Sequence, residues 1–149
     1  MSNEAKDILM REWDVLPAFP DVKEGLERLK ESNCRMCAFS NGKAENVKRV
    51  LRNAGIDHYF VDVVSVDDVK SYKPDPEVYY HFLRKTESVA SKSWLISSNP
   101  FDVIGAVSCG MSSVWLKRTP KAIFDPWEFN PTAIAESFVD LDTILNLNR

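Results

Sequence analysis

Three polar segments of this chain hold side chains that could do chemistry, and each lies beside an apolar run or a helical pattern. Residues 39–42 (Phe-Ser-Asn-Gly) close one apolar run, and residues 97–102 (Ser-Ser-Asn-Pro-Phe-Asp) follow another and open a helix. Residues 73–76 (Lys-Pro-Asp-Pro) stand directly before a further helix. Because open parallel sheets bind ligands beyond the carboxyl ends of their strands, these groups should meet at one edge. Together they indicate a hydrolase site in a protein of the α/β class.

The apolar pattern shows which elements position these groups. Four apolar runs predict strands, at residues 36–39, 60–65, 94–96 and 113–116. Apolar residues at helical spacing predict helices between them, so strand and helix alternate along the chain. This alternation predicts a parallel sheet with helices on both faces. After an ordered loop at residues 119–132, we predict a last short strand at 137–139 and a closing helix from Asp140.

Length and composition narrow the class of protein. The 149 residues predict one domain with enough core to fold without a metal or a disulfide. The 22 acidic and 19 basic residues form no basic stripe, which argues against nucleic acid as a partner. No apolar run reaches the roughly 20 residues of a membrane span, and residues 1–6 lack the apolar core of a signal peptide, so a cytoplasmic protein is expected. Neither the cysteines nor the glycines have the spacing of a zinc or nucleotide site.

The order and spacing of the polar segments resemble the haloacid dehalogenase superfamily, and within it the L-2-haloacid dehalogenases rather than the phosphatases. Members carry a hydroxyl residue after the second strand, here Ser40, a lysine before a helix, here Lys73, and a polar cluster after the fourth strand, here residues 97–99. The resemblance covers nearly the whole chain. It implies a Rossmann-like core over residues 18–149 and a remnant of a helical cap over residues 1–17.

The resemblance also implies a role for four catalytic residues. Lys73 would neutralise and orient a nucleophilic carboxylate, and Ser97 and Asn99 would form hydrogen bonds around it. Asp102 would position or activate the hydrolytic water. The reaction implied is the hydrolysis of a 2-haloacid to a 2-hydroxy acid through an aspartyl ester.

Four further residues are predicted to bind the substrate, which would be a small carboxylate. Ser40 would help to bind its carboxylate group, and Asn41 matches a residue that cradles the departing halide. Tyr79 and Phe101 match positions that line the pocket. Where the family often has tryptophan, this chain has Phe101, which retains an apolar wall but changes its shape.

The cluster at residues 97–99 also predicts that no metal or other cofactor is needed. In phosphatases of the superfamily the corresponding cluster is usually rich in aspartate and binds magnesium. Here it consists of Ser97, Ser98 and Asn99, with one acid further on at Asp102. A 2-haloacid brings a single negative charge, which hydroxyl and amide groups can bind without a divalent cation.

The aspartate nucleophile of the family has no match in this sequence. Asp7, Asp14 and Asp21 lie in or beside helical patterns, and none follows an apolar strand. In the family that aspartate ends a central strand, which would lie between the strands predicted at 36–39 and 94–96. We therefore predict a gap in the sheet, and a truncated chain that is inactive alone.

Two other functions stay open at this point. One is a phosphatase of the superfamily, which would need magnesium for turnover. The other is a non-catalytic domain that keeps the frame of the fold and binds a small carboxylate or a protein partner. Unpaired backbone groups along the gap would also favour self-association, such as a homodimer.

Overall fold

The computed structural model describes residues 2–145, which alternate between helices and strands as the sequence predicts. The α-helices are α1 (Asn3–Asp14), α2 (Val22–Glu31), α3 (Ala44–Asn53), α4 (Pro76–Lys85), α5 (Pro100–Ser108) and α6 (Leu141–Leu145). The strands are β1 (Cys37–Ser40), β2 (Asp62–Ser65), β3 (Trp94–Ser97), β4 (Ser112–Leu116) and β5 (Ala133–Ala135). Short 3-10 helices span Asp57–Tyr59, Val66–Val69, Ala90–Lys92 and Phe138–Asp140.

Local sequence explains the boundaries of the helices near the polar segments. The carboxylate of Asp75 accepts a hydrogen bond of 2.9 Å from the backbone N–H of Glu77, and Pro76 occupies the first turn of α4. At the end of α3, Gly55 has a φ of +67°, a left-handed conformation that glycine adopts without strain. The predicted start of α4 and end of α3 are therefore confirmed.

The strands form two separate parallel blocks. β1 pairs with β2, and β3 pairs with β4, which pairs with β5. No ladder joins β1 to β3 anywhere in the part of the chain that the structure describes. The α/β class with a parallel sheet is confirmed, and the sheet is interrupted between the two strands where the sequence predicts a gap.

Helices cover both faces of the two blocks. α2, α3 and α6 pack on one face, and α4 and α5 pack on the other. The most deeply buried core side chains include Leu26, Val64, Val66, Val78, Val103 and Val114. No residue of α3 is fully buried, and this helix packs on the two-stranded block. None of the helices in residues 2–145 combines the length and apolar character needed to cross a bilayer.

The predicted strand at residues 137–139 is wrong. Ser137 and Asp140 form a capping box, in which the Ser137 hydroxyl accepts from the Val139 N–H and the Asp140 carboxylate accepts from the Ser137 N–H. This exchange of hydrogen bonds stabilises a helical turn rather than a strand. The last strand lies earlier, at Ala133–Ala135, where it forms the edge of its block.

The first helix is attached to α3. The Asp14 carboxylate pairs with Arg49 at 2.8 Å, and the Asn53 side-chain amide donates to the Asp14 carbonyl at 2.8 Å. Several apolar side chains of this region are exposed, among them Ile8, Leu9, Trp13, Val15 and Leu16. The division into a cap remnant at residues 1–17 and a core at 18–149 stays a prediction.

Asp21 connects the start of α2 to two distant segments. Its Oδ2 atom accepts from Arg118 Nη1 at 2.6 Å, from the Phe138 N–H at 2.6 Å and from the Ser137 hydroxyl at 3.2 Å. Burial alone would raise the pKa of this carboxyl group, but the Phe138 N–H and the Arg118 guanidinium outweigh it, so the pKa lies below its usual value of 3.8.

We expect Asp21→Asn to lower the free energy of unfolding at pH 7 by about 1 kcal/mol, because the charged acceptor of three hydrogen bonds is lost. A carboxyl group whose pKa is lowered by folding stabilises the protein above its unfolded pKa, and this contribution disappears as pH falls below 3.8 through the folded pKa. Urea unfolding from neutral to strongly acid pH should therefore show the difference from wild type shrinking in acid. Asp57→Asn, at an exposed position, is the control; an equal loss there would show that the Asp21 contacts contribute nothing specific.

Candidate active site

A large cavity opens between β1 and β3, where the sheet is interrupted. It has a volume of about 950 Å³, and its wall includes four of the predicted site residues, Ser40, Lys73, Ser97 and Asp102. Ser40 and Ser97 end β1 and β3, while Asp102 lies in the first turn of α5. The carboxyl ends of the two strands and a helix N-terminus thus meet at one place, as expected for a ligand site of a parallel sheet.

Lys73 is the central charged group of this cavity. Its ammonium group donates to the Phe39 carbonyl at 2.9 Å and lies 3.6 Å from Asp102 Oδ1. The same nitrogen sits 4.0 Å from the centre of the Phe39 ring, where the face of the ring attracts a cation. Only 6% of the Lys73 side chain is exposed. This lysine is therefore a nearly buried cation at the end of β1.

Burial lowers the pKa of Lys73 below its usual value of 10.5, because the charged form loses water. The negative charge of Asp102 acts in the opposite direction and offsets part of this effect. Burial thus disfavours the charged form of Lys73, and Asp102 favours it.

Asp102 is oriented by two of its neighbours. The Ser97 hydroxyl donates to Asp102 Oδ2 at 2.9 Å and accepts from the Asn99 N–H at 3.1 Å. The Tyr79 hydroxyl donates to the Asp102 carbonyl at 3.2 Å. The other carboxylate oxygen, Oδ1, is buried and has no hydrogen-bond partner. That oxygen lies near Lys73 and is available to accept from a further group.

The turn after β1 is tied to Lys73 through Asn41. The side-chain oxygen of Asn41 accepts from the backbone N–H of Lys73 at 3.0 Å, so the amide NH₂ group is left to donate elsewhere. The Ser40 hydroxyl accepts from the Gly42 N–H at 3.0 Å. Both predicted substrate-binding residues of this turn are therefore held by hydrogen bonds, Ser40 within the turn and Asn41 to the distant Lys73.

The other predicted residues lie further from the ammonium group. Tyr79 is completely buried, and it supports Asp102 through the hydrogen bond from its hydroxyl to the Asp102 carbonyl. Burial raises the pKa of this hydroxyl far above its usual value. The Asn99 side chain is exposed and makes no capping hydrogen bond, although its backbone contacts Ser97. Phe101 is 40% exposed at the start of α5. The substrate contacts predicted for Tyr79 and Phe101 stay predictions.

Ser65 was not singled out from the sequence, yet it organises the same turn. It is 1% exposed, and its hydroxyl donates to the Gly42 carbonyl at 2.8 Å and accepts from the Asp67 N–H at 3.1 Å. The available signal was its position, because it ends the apolar run at residues 60–65 just as Ser40 ends the preceding one. In the same way, the Trp115 indole N–H donates to the Ser98 carbonyl at 3.2 Å and fixes the turn after β3.

The donors at this site do not fit a divalent cation. Magnesium prefers carboxylate oxygens in octahedral geometry, whereas the carboxylate on the cavity wall beside Ser97 is that of Asp102, which already faces an ammonium group. Within residues 2–145, no three histidine, cysteine, aspartate or glutamate side chains are grouped so that they could hold a metal.

Comparison with known proteins agrees with this arrangement. Residues 3–116 match the family model described as haloacid dehalogenase-like hydrolase. (S)-2-haloacid dehalogenase 2 of Pseudomonas sp. (strain CBS-3) is 28% identical over 146 residues, covering 98% of this chain and 63% of that protein. (S)-2-haloacid dehalogenase 4A of Burkholderia cepacia is 31% identical over 134 residues, covering 88% of this chain and 58% of that protein.

Solved structures show the same likeness. The crystal structure of an L-2-haloacid dehalogenase superposes with a TM-score of 0.91 at 29% identity, covering 98% of this chain and 64% of that one. The structure of the L-2-haloacid dehalogenase from Xanthobacter autotrophicus with chloropropionic acid covalently bound has a TM-score of 0.92 at 20% identity. It covers 100% of this chain and 69% of that one, and this likeness supports the assignment of the fold. The chain spans about three fifths of the length of the two dehalogenases named above. Because the family model matches most of its residues and the fold agrees, the chain belongs to the haloacid dehalogenase-like hydrolases.

Proposed function

We propose that this site performs the metal-independent hydrolysis of a 2-haloacid to a 2-hydroxy acid, once an attacking carboxylate stands beside Lys73. The observation that carries the proposal is the nearly buried ammonium group of Lys73 on the cavity wall, 3.6 Å from Asp102 Oδ1. The names of the similar proteins support the same substrate class. The substrate is thus a small carboxylate with a halogen on the adjacent carbon.

The reaction has two steps, each of which these residues can assist. A carboxylate oxygen attacks the carbon that bears the halogen; a C–O bond forms, the C–halogen bond breaks, and halide leaves with the electron pair. Water then attacks the carbonyl carbon of the resulting ester, which releases the 2-hydroxy acid and restores the carboxylate. Lys73 holds the carboxylate in its charged form, and Asp102, with Oδ1 free of hydrogen bonds, accepts a proton from the water.

The turn after β1 provides groups for the two anions of the substrate. Because the Asn41 side-chain oxygen is occupied by the Lys73 N–H, its NH₂ group is the one that can donate to a departing halide. Ser40 lies on the cavity wall, where its hydroxyl can donate to the substrate carboxylate. Asn99 and Ser97 complete the hydrogen bonds around the attacking group, and Phe101 and Tyr79 are assigned to the apolar surroundings.

The attacking carboxylate is not among the described residues of the site, since Asp102 is the acid beside Lys73 and is held by Ser97. We therefore expect this chain alone to release no halide from (S)-2-chloropropionate. A form extended at its N-terminus by an apolar strand ending in aspartate should release chloride, which a chloride-selective electrode measures. Added magnesium should not change the rate.

Three controls decide between this proposal and the alternatives. Lys73→Met in the extended form should reduce chloride release about 10²- to 10³-fold, the range expected when a group that stabilises the reacting charge is removed. Magnesium-dependent release of phosphate from p-nitrophenyl phosphate would instead support a phosphatase. A folded, extended form that binds 2-chloropropionate without turnover would overturn the proposal and support a binding domain.

A further inference from the structure

We propose that Phe39 is a positioning residue of this site, whose aromatic ring holds the Lys73 ammonium group in place and in its charged form beside Asp102. The contact stands on the geometry of these side chains. Its consequence for catalysis rests on the proposed function, because there Lys73 acts as a cation.

Phe39 contacts the ammonium group of Lys73 in two ways. Its backbone carbonyl accepts a hydrogen bond of 2.9 Å from Nζ, and the centre of its ring lies 4.0 Å from the same atom. Any residue at this position could provide the carbonyl, whereas only an aromatic side chain provides a ring face with negative charge density. The ring is therefore the part of Phe39 that a substitution can remove while the carbonyl stays.

The ring acts on a cation that has lost most of its water. Only 6% of the Lys73 side chain is exposed, and burial lowers its pKa. The attraction between an ammonium group and a ring face is weak in water and becomes stronger when the cation is desolvated. Among the described residues, Asp102 of α5 is the acid that the structure pairs with this ammonium group, at 3.6 Å. Phe39 of β1 and Asp102 of α5 thus favour the same charged form.

Packing fixes the orientation of the Phe39 ring. It meets the Tyr79 ring edge to face, with the ring centres 5.7 Å apart and an angle of 82° between the planes. The centre of the Phe82 ring lies 5.0 Å away, and both neighbours belong to α4. Because Tyr79 is completely buried, the Phe39 ring cannot turn without displacing a core side chain. The ring face toward Lys73 is therefore a fixed feature of the site.

The same packing connects the two charged groups of the site. The Tyr79 hydroxyl donates to the Asp102 carbonyl at 3.2 Å, while the ring of Tyr79 contacts that of Phe39. The two rings thus form one support, in which Phe39 contacts Lys73 and Tyr79 contacts Asp102. The ring of Phe39 contributes to the distance between the charges as well as to the charge of the lysine.

A role in space filling alone is the alternative for Phe39. Its side chain packs against the buried cluster that includes Val78 and Leu95, which another apolar side chain could also contact. Space filling depends on the volume of the ring and not on its charge distribution. Fluorine atoms withdraw electron density from the ring face and change the shape little, so a fluorinated ring separates the two roles.

The test replaces Phe39 alone by a trifluorinated phenylalanine, introduced at a suppressed stop codon, in the chain labelled at the lysine Cε carbons. An NMR titration of the Lys73 signal, which is identified by its loss in Lys73→Met, measures the affinity of the amine for its proton. We expect this affinity to fall about fivefold with the fluorinated ring and with Phe39→Leu, because the ring face no longer stabilises the charged form. Circular dichroism at each pH checks that the chains stay folded.

Phe82→Leu is the matched control, since it removes a ring of the same cluster while the ring beside the Lys73 ammonium group stays in place. It should lower the free energy of unfolding but change the proton affinity of Lys73 less than about twofold, because no contact between ring and cation is lost. An unchanged Lys73 titration with the fluorinated ring, or an equal change with Phe82→Leu, overturns the positioning role and leaves Phe39 as a packing residue.

Chloride release by the extended form distinguishes this inference from the proposed function. With the fluorinated ring, the alkaline limb of the pH profile of kcat/KM should move to lower pH together with the Lys73 titration, because the amine must be charged. A changed titration without chloride release from any extended form leaves the positioning role intact and contradicts the proposed function. Chloride release with neither the pH profile nor the Lys73 titration changed by the fluorinated ring contradicts the positioning role alone.

Discussion

Asp102→Asn should lower the free energy of unfolding at pH 7 by about 3 kcal/mol, since removing one member of a buried ion pair leaves the other charge without compensation. Lys73 and Asp102 have only 6% and 10% of their side chains exposed and lie 3.6 Å apart. Asparagine keeps the shape of aspartate and can still accept from Ser97, so the change removes the charge and little else. Urea unfolding followed by circular dichroism measures the effect.

The pH dependence of this loss has a definite sign. The pKa of Lys73 is lower in the folded chain than its usual value of 10.5, so the unfolded state binds more protons between those two values and stability rises with pH there. The charge of Asp102 raises this pKa, and its removal lowers the pKa further. The deficit of Asp102→Asn should therefore shrink as pH rises toward the folded pKa of wild-type Lys73, which lies below 10.5. Burial and, to a lesser extent, the charge of Asp102 raise the pKa of Tyr79, so the comparison belongs below the pH at which this hydroxyl ionises.

The double variant Lys73→Met/Asp102→Asn is the control for this prediction. With both charges removed, most of the lost stability should return, because a buried ion pair replaced as a whole often costs little. A double variant as unstable as the sum of the single ones would show that the two side chains do not interact. A deficit that is constant with pH would show that the lysine charge is not its cause.

The sequence predicts the order of β1 to β4 well because each of these strands is a short apolar run. The runs at 36–39, 60–65, 94–96 and 113–116 overlap β1 to β4, and helical spacing locates the helices between them. Local hydrogen bonding explains why the strand predicted at residues 137–139 does not form. Ser137 and Asp140 satisfy each other's backbone groups, and this overrides the β-propensity of Phe138 and Val139.

The sequence predicts those parts of the candidate site that lie near the carboxyl ends of strands. Ser40, Lys73, Ser97 and Asp102 meet at one cavity because parallel strands bring their carboxyl ends to one edge. The meeting of strand ends at one edge does not determine the direction in which each side chain points. Tyr79, which the family resemblance assigns to the pocket wall, is buried and its hydroxyl donates to the Asp102 carbonyl. The contribution of Ser65 emerges only from its contact with the turn at Gly42.

Gly105→Ala should lower the free energy of unfolding by about 2 kcal/mol, because a Cβ atom at this position would overlap the hydroxyl group and ring of Tyr79. Alanine favours a helix over glycine by about 1 kcal/mol, but the overlap is with a fully buried ring that has no space to move. The same ring holds the Asp102 carbonyl, so a shift of α5 away from α4 also displaces the carboxylate near Lys73. We expect chloride release by the extended form to fall together with stability.

A matched glycine tests this reasoning. At Gly42 a Cβ atom would meet its nearest neighbours, Ser40 Oγ and a Val47 methyl group, at 3.4 Å, which is ordinary contact, so Gly42→Ala should change stability by less than about 0.5 kcal/mol. Shortening the partner in Gly105→Ala/Tyr79→Leu should make the two losses less than additive, since the added methyl group then occupies space that the ring has left. Additive losses, or a Gly105→Ala variant as stable as wild type, would show that α5 can move without disturbing the site. Either result would contradict the inference that Tyr79 holds Asp102 rigidly.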